Sequence, residues 1–316
     1  KARAVTRTRP PRRRCLPAPG IGHPGEKTPA KHPVGVPRGT RTGETSAKVP
    51  TAPAQKPAKL TPKNRPKGLK YLEITLSLGL VMGKLYLIPT PMGETAGWEV
   101  ALPAGNRAVL DRIDCFVVEN LRTARRFLAR SGLSRPIDAL SFTELNEHTR
   151  PEEVEAMLDP LLREGRDIGL MSEAGLPCVA DPGALLVAAA HRKGAEVVPL
   201  VGPNSMMLAL MASGANGQSF AFNGYLPVKP PERIKAIRHF ERRASAEGQT
   251  QLFIEAPYRN RRLFDDLLAT CHPQTMLCIA CDLLEPSQYI RSQRIEAWRG
   301  SAPPPFEKRP AIFVLF

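Results

Sequence analysis

Residues 167–183 read DIGLMSEAGLPCVADPG, and this stretch decides the fold class. Its first six residues form an apolar run of strand length. The loop that follows, residues 172–183, contains two Gly and two Pro, and residues 183–193 then place apolar side chains at the three-to-four spacing of a helix. A strand, a Gly- and Pro-rich loop and a helix in this order predict one βα unit of a parallel sheet.

The same alternation extends on both sides of this unit. In the first half, predicted strands cover residues 85–89, 115–119, 167–172 and 196–201, and predicted helices cover residues 104–113, 121–131, 151–165 and 183–193. In the second half, predicted strands cover residues 219–225, 251–255, 276–284, 289–295 and 311–316, with a helix from Ser205, a basic helix over 232–246 and a helix that ends at Thr270. We therefore predict an α/β protein with two domains, residues 82–201 and residues 202–316. The first should contain a largely parallel sheet and the second a smaller mixed sheet.

Three predicted loops favour a ligand site at one edge of the parallel sheet. Ligands of such sheets bind beside the loops that follow the strands. Residues 89–93, 172–183 and 202–205 are loops of this kind, and all are rich in Gly and Pro. Ordinary βα turns are the alternative, but Pro fixes φ and removes a donor, which orients the neighbouring amides and carbonyls. Three such loops together predict a preset surface that contacts a ligand through its backbone.

These loops contain no phosphate-binding motif. No G-x-G-x-x-G follows a predicted strand, and residues 79–85 lack both the spacing of a Walker loop and a Ser or Thr after Lys84. The sequence therefore argues against NAD, FAD and ATP. An adenosine-bearing ligand without phosphates, such as S-adenosylmethionine, needs hydrogen bonds and an apolar wall but no anion site, so it is compatible with these loops.

Residues 1–81 differ in composition from the rest of the chain. They contain 18 Lys and Arg against 3 Asp and Glu, whereas residues 82–316 contain 27 basic and 27 acidic residues. The net charge of +15 therefore belongs to the tail and does not make the remainder a nucleic-acid binder. Frequent Pro and the lack of Phe and Trp predict a disordered tail rather than the amphipathic helix of a transit peptide. The first Met is Met82, and we hypothesise that the tail is upstream sequence joined to a protein that starts there.

The sequence favours a cytoplasmic protein without a membrane span or a metal. The apolar run 71–88 contains Glu73, Lys84 and two Gly, which argues against a membrane helix. Cys278 and Cys281 have the spacing of a zinc or redox motif. On a strand, however, residues three apart face opposite sides, so the two sulfurs should not meet at one ion. Six scattered Cys are typical of reduced thiols in a cytosolic protein.

Five motifs carry a family resemblance. They are LYLIPTPMG at residues 85–93, the loop 172–183, VPLVGPNS at residues 198–205, GYLP at residues 224–227 and EAPYR at residues 255–259. In this order they resemble the tetrapyrrole methylase superfamily and, within it, the ribosomal RNA small subunit methyltransferase I group, which methylates a ribose 2′-hydroxyl of 16S rRNA. The resemblance covers about residues 83–316. It implies a two-domain α/β homodimer with S-adenosylmethionine in a cleft between the domains.

The resemblance also implies roles for individual residues. The implied cofactor-binding residues are Pro91, Met92, Leu176, Val179, Ser205, Met206, Gly224 and Pro310. The implied substrate-side, catalytic residues are Glu119, Arg122, Glu147, His148 and Arg259. Among the latter, the three side chains able to accept the proton of a ribose hydroxyl are Glu119, Glu147 and His148. The chain departs from the group at Asn120-Leu121, Glu173 and Tyr258, where Asp-Thr, Asp and His are usual, so the RNA target stays open.

Three functions are compatible with these observations. The favoured one is a methyltransferase that acts on 16S rRNA or the small ribosomal subunit. The neutral composition of residues 82–316 favours the alternative of a methyltransferase for a tetrapyrrole or another small molecule. A non-catalytic RNA- or ribosome-associated protein is the third. A basic wall beside the cofactor cleft would indicate RNA, and an apolar bowl would indicate a flat macrocycle.

Overall fold

Two five-stranded sheets form two lobes. The computed structural model describes residues 82–93, 95, 102–306 and 308–316. Strands between residues 84 and 199 build the first sheet, here the N-lobe, and strands between residues 220 and 315 build the second, the C-lobe. Contacts join the two lobes into one compact unit that contains every described residue. The tail predicted to be disordered, residues 1–81, lies outside the described residues.

The N-lobe sheet is parallel throughout. Its strands are β1 (Lys84–Ile88), β2 (Cys115–Val118), β3 (Ser141–Glu144), β4 (Ile168–Met171) and β5 (Glu196–Pro199). They lie in the order β3-β2-β4-β1-β5, with Leu85 opposite both Ile168 and Val197. Every residue of β2 and β4 is buried, as expected for the inner strands of a parallel sheet covered on both faces.

Helices on both faces of this sheet produce two separate cores. The helices are α1 (Ala104–Leu110), α2 (Leu121–Arg130), α3 (Pro151–Ala156), α4 (Asp159–Arg163) and α5 (Ala184–Lys193). Side chains from α3, α4 and α5, such as Leu161 and Leu186, pack with Leu85 and Leu170 on one face. Side chains from α1 and α2, such as Leu128, pack with the alternate strand residues on the other face. The β1, β4 and β5 loops are therefore fixed by a sheet that is buried on both sides.

The C-lobe has a mixed sheet. After α6 (Ser205–Ser213), its elements are β6 (Phe220–Tyr225), α7 (Pro230–Glu247), β7 (Thr250–Ile254), α8 (Asn260–Thr270), β8 (Met276–Cys281), β9 (Tyr289–Arg294), α9 (Ile295–Arg299) and β10 (Ala311–Leu315). The strand order is β6-β7-β10-β8-β9, in which only β6 and β7 pair in parallel. A 3-10 turn, Pro257–Arg259, connects β7 to α8. The mixed pairing agrees with the prediction, but the sheet is not smaller than that of the N-lobe, since both have five strands.

Most predicted elements are confirmed within a few residues of their bounds, but one predicted helix is wrong, and two elements, β3 and α9, were not predicted. Residues 151–165 form two short helices, because Pro160 has no amide hydrogen to continue the first helix and its ring would clash with the preceding turn. The edge strand β3 was not predicted. Its residues are half-exposed or exposed and lack a strand pattern, and it is held by backbone pairing with β2, including Ser141 N to Asp114 O at 2.8 Å.

The C-x-x-C segment behaves as its strand position predicts. Cys278 packs in the cluster with Leu252 and Met206, whereas Cys281 packs in the cluster on the opposite face of β8. Burial raises the pKa of the Cys278 thiol to about 11 and that of the Cys281 thiol to about 12. Both thiols are therefore protonated at neutral pH. Within the part of the chain that the structure describes, no helix is long and apolar enough to cross a membrane.

Candidate ligand-binding cavity between the lobes

A cavity of about 590 Å³ lies between the N-lobe and the C-lobe. This volume is within the range of small-molecule and cofactor sites, about 300 to 1,000 Å³. The N-lobe contributes the loops after β1 and β4. The start of α6, a helix that packs against the C-lobe sheet, lies beside these loops. The C-lobe contributes the ends of β6 and β7, the loop after β8 and the start of β10. We call this space the interlobe cavity.

The β1 and β4 loops are tied together beside the cavity. Thr90 N donates to Gly175 O at 2.9 Å, and Gly175 N donates to Thr90 O at 3.2 Å. Gly175 has a φ of 78°, and the two non-Gly residues Cys178 and Ala180 also have positive φ, at 68° and 66°. Left-handed backbone at non-Gly residues is strained and is found most often at functional loops that the surrounding structure holds in place. The sequence predicted this loop as a preset surface, and its geometry has that character.

The start of α6 forms a second side of the cavity. Asn204 caps the helix, because its Oδ1 accepts from Met207 N at 2.9 Å. The preceding turn is closely packed. A Cβ added at Gly202 would lie 2.1 Å from the Cβ of Pro89, so only glycine fits there without movement. Asn106 Nδ2 holds the same turn by donating to Val201 O at 2.9 Å. The loops after β1 and β5 are therefore fixed against each other.

The C-lobe wall is built around Asp282. Its backbone N donates to Pro310 O at 3.2 Å, and its Oδ2 accepts from Ser287 Oγ at 2.8 Å. Arg309 Nη1 lies 3.4 Å from the same carboxylate. Asp282, Ser287 and Pro310 line the cavity, whereas Arg309 does not. The carboxylate is thus partly neutralised from outside the space that a ligand would occupy.

The lining of the cavity is acidic. Four carboxylates line it, and none of its described lining residues is Lys, Arg or His. These four residues are Asp181, Glu255, Asp282 and Glu285. An acidic, partly apolar cavity stabilises a cationic ligand and opposes phosphate groups. This agrees with the absence of phosphate-binding motifs from the loops.

Asp181 is the carboxylate whose protonation is most altered. Burial, together with the nearby negative charge of Glu119, raises the pKa of Asp181 to about 6. Glu119 is fixed in place, because its Oε2 accepts from Glu173 N at 3.0 Å. Thr123 Oγ1 in turn donates to Glu173 Oε1 at 3.0 Å. Asp181 is therefore close to half-protonated near pH 6 and faces the cavity.

Six of the eight predicted cofactor-binding residues line the cavity. These six are Met92, Leu176, Val179, Ser205, Met206 and Pro310. Pro91 and Gly224 are not among the lining residues, although each is next to one, Met92 and Tyr225. Gly224 instead lies at an irregularity of β6, with a φ of 62°. The sequence motifs thus place most of their predicted contacts around one space.

The five predicted substrate-side residues do not line the cavity. Glu119 reaches it indirectly through Asp181. Glu147 and His148 lie together in the loop before α3, where both side chains are 84% exposed. Arg122 is exposed in the first turn of α2. Arg259 lies behind Glu255, with Nε 2.9 Å and Nη2 2.6 Å from Glu255 Oε1.

The residues of this site that sequence reasoning missed include Asp181, Tyr225, Glu255, Asp282 and Glu285. Asp181 belongs to the quoted loop, and its sequence signal was an acid directly before Pro-Gly. Glu255 opens the quoted EAPYR motif, and the signal was an acid at the end of a buried strand. In both motifs the prediction selected neighbouring residues instead. Within the described part of the chain, no group of three or more His, Cys, Asp or Glu is placed to hold a metal ion.

The chain is similar in sequence to curated bacterial proteins named ribosomal RNA small subunit methyltransferase I. It is 31% identical over 201 residues to the protein of Escherichia coli O157:H7, covering 64% of this chain and 65% of that protein. It is 31% identical over 201 residues to the protein of Xylella fastidiosa, covering 64% and 68%. It is 32% identical over 187 residues to the protein of Thermotoga maritima, covering 59% and 78%. The chain thus spans about two thirds of the length of the first two relatives.

Two solved structures are similar in fold. The methyltransferase CobJ has a TM-score of 0.48 and 20% identity, covering 73% of this chain and 93% of that chain. The cobalt precorrin-4 methyltransferase CbiF has a TM-score of 0.46 and 16% identity, covering 79% and 97%. No protein-family model matches the chain.

Proposed function

Because the chain belongs to the ribosomal RNA small subunit methyltransferase I family and is a methyltransferase that uses S-adenosylmethionine, we propose that it methylates a ribose 2′-hydroxyl of 16S rRNA in the small ribosomal subunit. The observation that carries this proposal is the interlobe cavity, which is acidic and free of cations among its described lining residues. Six of the eight cofactor contacts that the family resemblance implies meet there.

The interlobe cavity is the proposed site of the methyl donor. Met92, Leu176, Val179 and Met206 supply an apolar wall, and Ser205 supplies a hydroxyl. When bound, S-adenosylmethionine supplies a methyl group that its positive sulfur has already activated. The acidic lining favours that positive charge, although Arg259 and Arg309 partly balance the carboxylates of Glu255 and Asp282. The lack of an anion site matches a ligand without phosphates. Pro91 and Gly224 do not line the cavity, but each is next to a residue that does, so we keep both as proposed contacts of the donor. Alignment of donor and acceptor in such a site can lower the barrier by roughly 7 to 11 kcal/mol.

Asp181 is the proposed proton acceptor. A ribose hydroxyl is weakly acidic, and a general base works best with a pKa near the working pH. The carboxyl of Asp181, with a pKa of about 6, meets this requirement and faces the cavity. Glu119, the first of the predicted acceptors, then acts through Asp181 by raising its pKa. Arg122, Glu147 and His148 lie outside the cavity and are proposed to contact the RNA rather than the donor.

The proposed assembly is a homodimer in the cytoplasm. In each chain, the proposed domain boundary lies between residues 201 and 202. An apolar groove supports a second copy as partner. Leu208, Met211, Leu284 and Ile290 line this groove, and Met211 is 79% exposed. We expect Met211→Asp to shift the protein from dimer to monomer in sedimentation equilibrium. A wild-type protein that sediments as a monomer at micromolar concentration would contradict the dimer.

The test of the proposed function is transfer of a labelled methyl group. Purified protein is incubated with methyl-labelled S-adenosylmethionine and small ribosomal subunits from a strain that lacks the gene. We expect label in one 2′-O-methylated nucleoside when the 16S rRNA is digested and analysed by mass spectrometry. That nucleoside should be missing from the deletion strain. Label that enters a tetrapyrrole but not the rRNA would contradict the proposal and support the small-molecule alternative.

A further inference from the structure

A second, smaller cavity of about 200 Å³ shares Glu255 with the interlobe cavity as a lining residue. We call it the arginine pocket. Its lining comes from the chain after β6, from α7, from the EAPYR motif and from α8. The lining residues are Val228, Arg233, Glu255, Tyr258, Arg259, Arg262 and Leu263. Three of the seven are Arg, whereas the interlobe cavity has no cation among its described lining residues.

Two of the three arginines are structural parts of the pocket wall. Arg233 is only 3% exposed, its Nε donates to Asp266 Oδ2 at 2.7 Å, and its Nη1 donates to Val228 O at 2.6 Å. Arg259 uses Nε and Nη2 for the carboxylate of Glu255, whose side chain is 2% exposed. Its Nη1 makes no hydrogen bond within the described part of the chain, so two N–H groups remain available. Both arginines are held in fixed positions before any ligand binds.

Arg262 supplies the uncompensated charge. It is exposed, and it makes no hydrogen bond or ion pair with any described residue. The charge of Arg233 is balanced by Asp266 and that of Arg259 by Glu255. The pocket therefore has a net positive charge from Arg262, with further donors from Arg259. A fixed arginine beside a second arginine provides N–H groups that donate hydrogen bonds to phosphate oxygens.

An exposed aromatic ring completes the pocket. Tyr258 is 78% exposed, and the Cζ of Arg259 lies 5.4 Å from the centre of its ring. Val228, also in the lining, is exposed as well. Proteins that bind single-stranded RNA stack bases on such rings and hold the backbone with neighbouring cations. The ring and the cations occur here on one small surface.

We propose that the arginine pocket binds one phosphodiester group of single-stranded RNA, with the adjoining base stacked on Tyr258. The phosphate oxygens accept hydrogen bonds from Arg259 Nη1 and from Arg262. This inference rests on the proposed function, because it names how the RNA substrate is held. Since Glu255 lies in the walls of both cavities, a strand held in the pocket runs directly beside the proposed methyl-donor site.

The test compares RNA binding by Arg262→Ala and Tyr258→Ala with that by Arg261→Ala. Arg261 is the matched control, because it is an exposed arginine on the same helix that pairs with Asp265 and does not line the pocket. We expect each of the first two variants to weaken binding of a 16S rRNA transcript about tenfold. Arg262→Ala should also lower the slope of log affinity against log salt by about 0.7. Arg261→Ala should stay within about twofold of wild type.

Two further measurements separate the outcomes. Affinity for S-adenosylmethionine, measured by calorimetry, should be unchanged in all three variants, which shows that the fold and the donor site are intact. If Arg262→Ala and Tyr258→Ala bind RNA like Arg261→Ala while the wild-type protein methylates rRNA, the pocket proposal is wrong. If inorganic phosphate binds the wild type and is lost in Arg262→Ala without any change in RNA affinity, the pocket is a free-phosphate site and the proposal is also wrong. A wild-type protein that fails to methylate rRNA instead contradicts the proposed function.

Discussion

The interlobe cavity and the arginine pocket meet at Glu255 but differ in charge. Four carboxylates and no described cation line the first, whereas three arginines and one carboxylate line the second. The described residues belong to a segment, 82–316, whose formal charges sum to zero. A balanced composition therefore conceals two local fields of opposite sign, one suited to a cationic donor and one to an anionic backbone. The net charge of residues 82–316 alone therefore did not distinguish an RNA substrate from a small, neutral substrate.

The largest effect should come from removing the proposed base of the acidic cavity. We expect Asp181→Asn to lower the single-turnover methylation rate about 10³-fold, because the amide no longer accepts the hydroxyl proton. The wild-type rate should fall as the pH drops through about 6, since protonation of Asp181 removes the base form. The variant should lose this pH dependence.

The control for Asp181→Asn is Glu285→Gln, which removes a different carboxylate from the same cavity. Its rate should fall far less and should keep the dependence on pH. RNA affinity should be unchanged in both variants. An Asp181→Asn enzyme with a wild-type rate and pH profile would show that the base lies elsewhere, with Glu119, Glu147 and His148 as the remaining predicted acceptors.

Gly202→Ala should damage the interlobe cavity and spare the arginine pocket. The added methyl group would meet the ring of Pro89 and displace the loops after β1 and β5. We expect the free energy of unfolding of the variant to be about 1 to 3 kcal/mol lower than that of the wild type. We also expect the variant to bind S-adenosylmethionine about tenfold more weakly. Urea titration and calorimetry measure the two effects.

Gly217→Ala is the matched control for Gly202→Ala, because a Cβ at Gly217 meets no atom within 4 Å. It should leave both measurements near wild type. Equal donor affinity in Gly202→Ala and wild type would mean that this turn does not shape the donor site.

The smallest effect should come from the residue that the two regions share. In Glu255→Gln the charge of Arg259 is no longer balanced, so RNA affinity should rise about three- to fivefold. The salt slope should become steeper by about 0.7. Affinity for S-adenosylmethionine should fall, since one carboxylate is lost from the acidic cavity. Filter binding across a salt series and calorimetry test both expectations, and weaker RNA binding would contradict the separation of charge described above.

The sequence predicted what depends on local chemistry. The Gly- and Pro-rich loop of residues 172–183 identified the edge of the sheet that lines the interlobe cavity, because its turns need those residues wherever the chain folds. The strand position of Cys278 and Cys281 correctly predicted that their sulfurs face apart. What the sequence did not reveal depends on partners distant in the chain. β3 exists through its pairing with β2, and Asp181 acquires its raised pKa from burial beside Glu119.

The arginine pocket could not be predicted from the sequence for the same reason. Arg259 was predicted as a substrate-side residue from its motif, but Arg262 and Tyr258 carried no role. Arg233 comes from α7, and it reaches the pocket only because α7 packs beside α8 and its side chain meets Asp266. No local sequence pattern predicts this contact between α7 and α8, so the pocket could be recognised only in the folded structure.

If both proposed sites are used, the position of Glu255 makes donor binding and RNA binding thermodynamically dependent. If a phosphate draws the Arg259 guanidinium away from Glu255, a buried carboxylate is left uncompensated in the wall that a positive donor would face. The donor then binds more tightly when RNA is present, and by linkage RNA binds more tightly by the same factor when the donor is present. After transfer the sulfur is neutral, this mutual gain disappears, and both products are released more readily than the substrates.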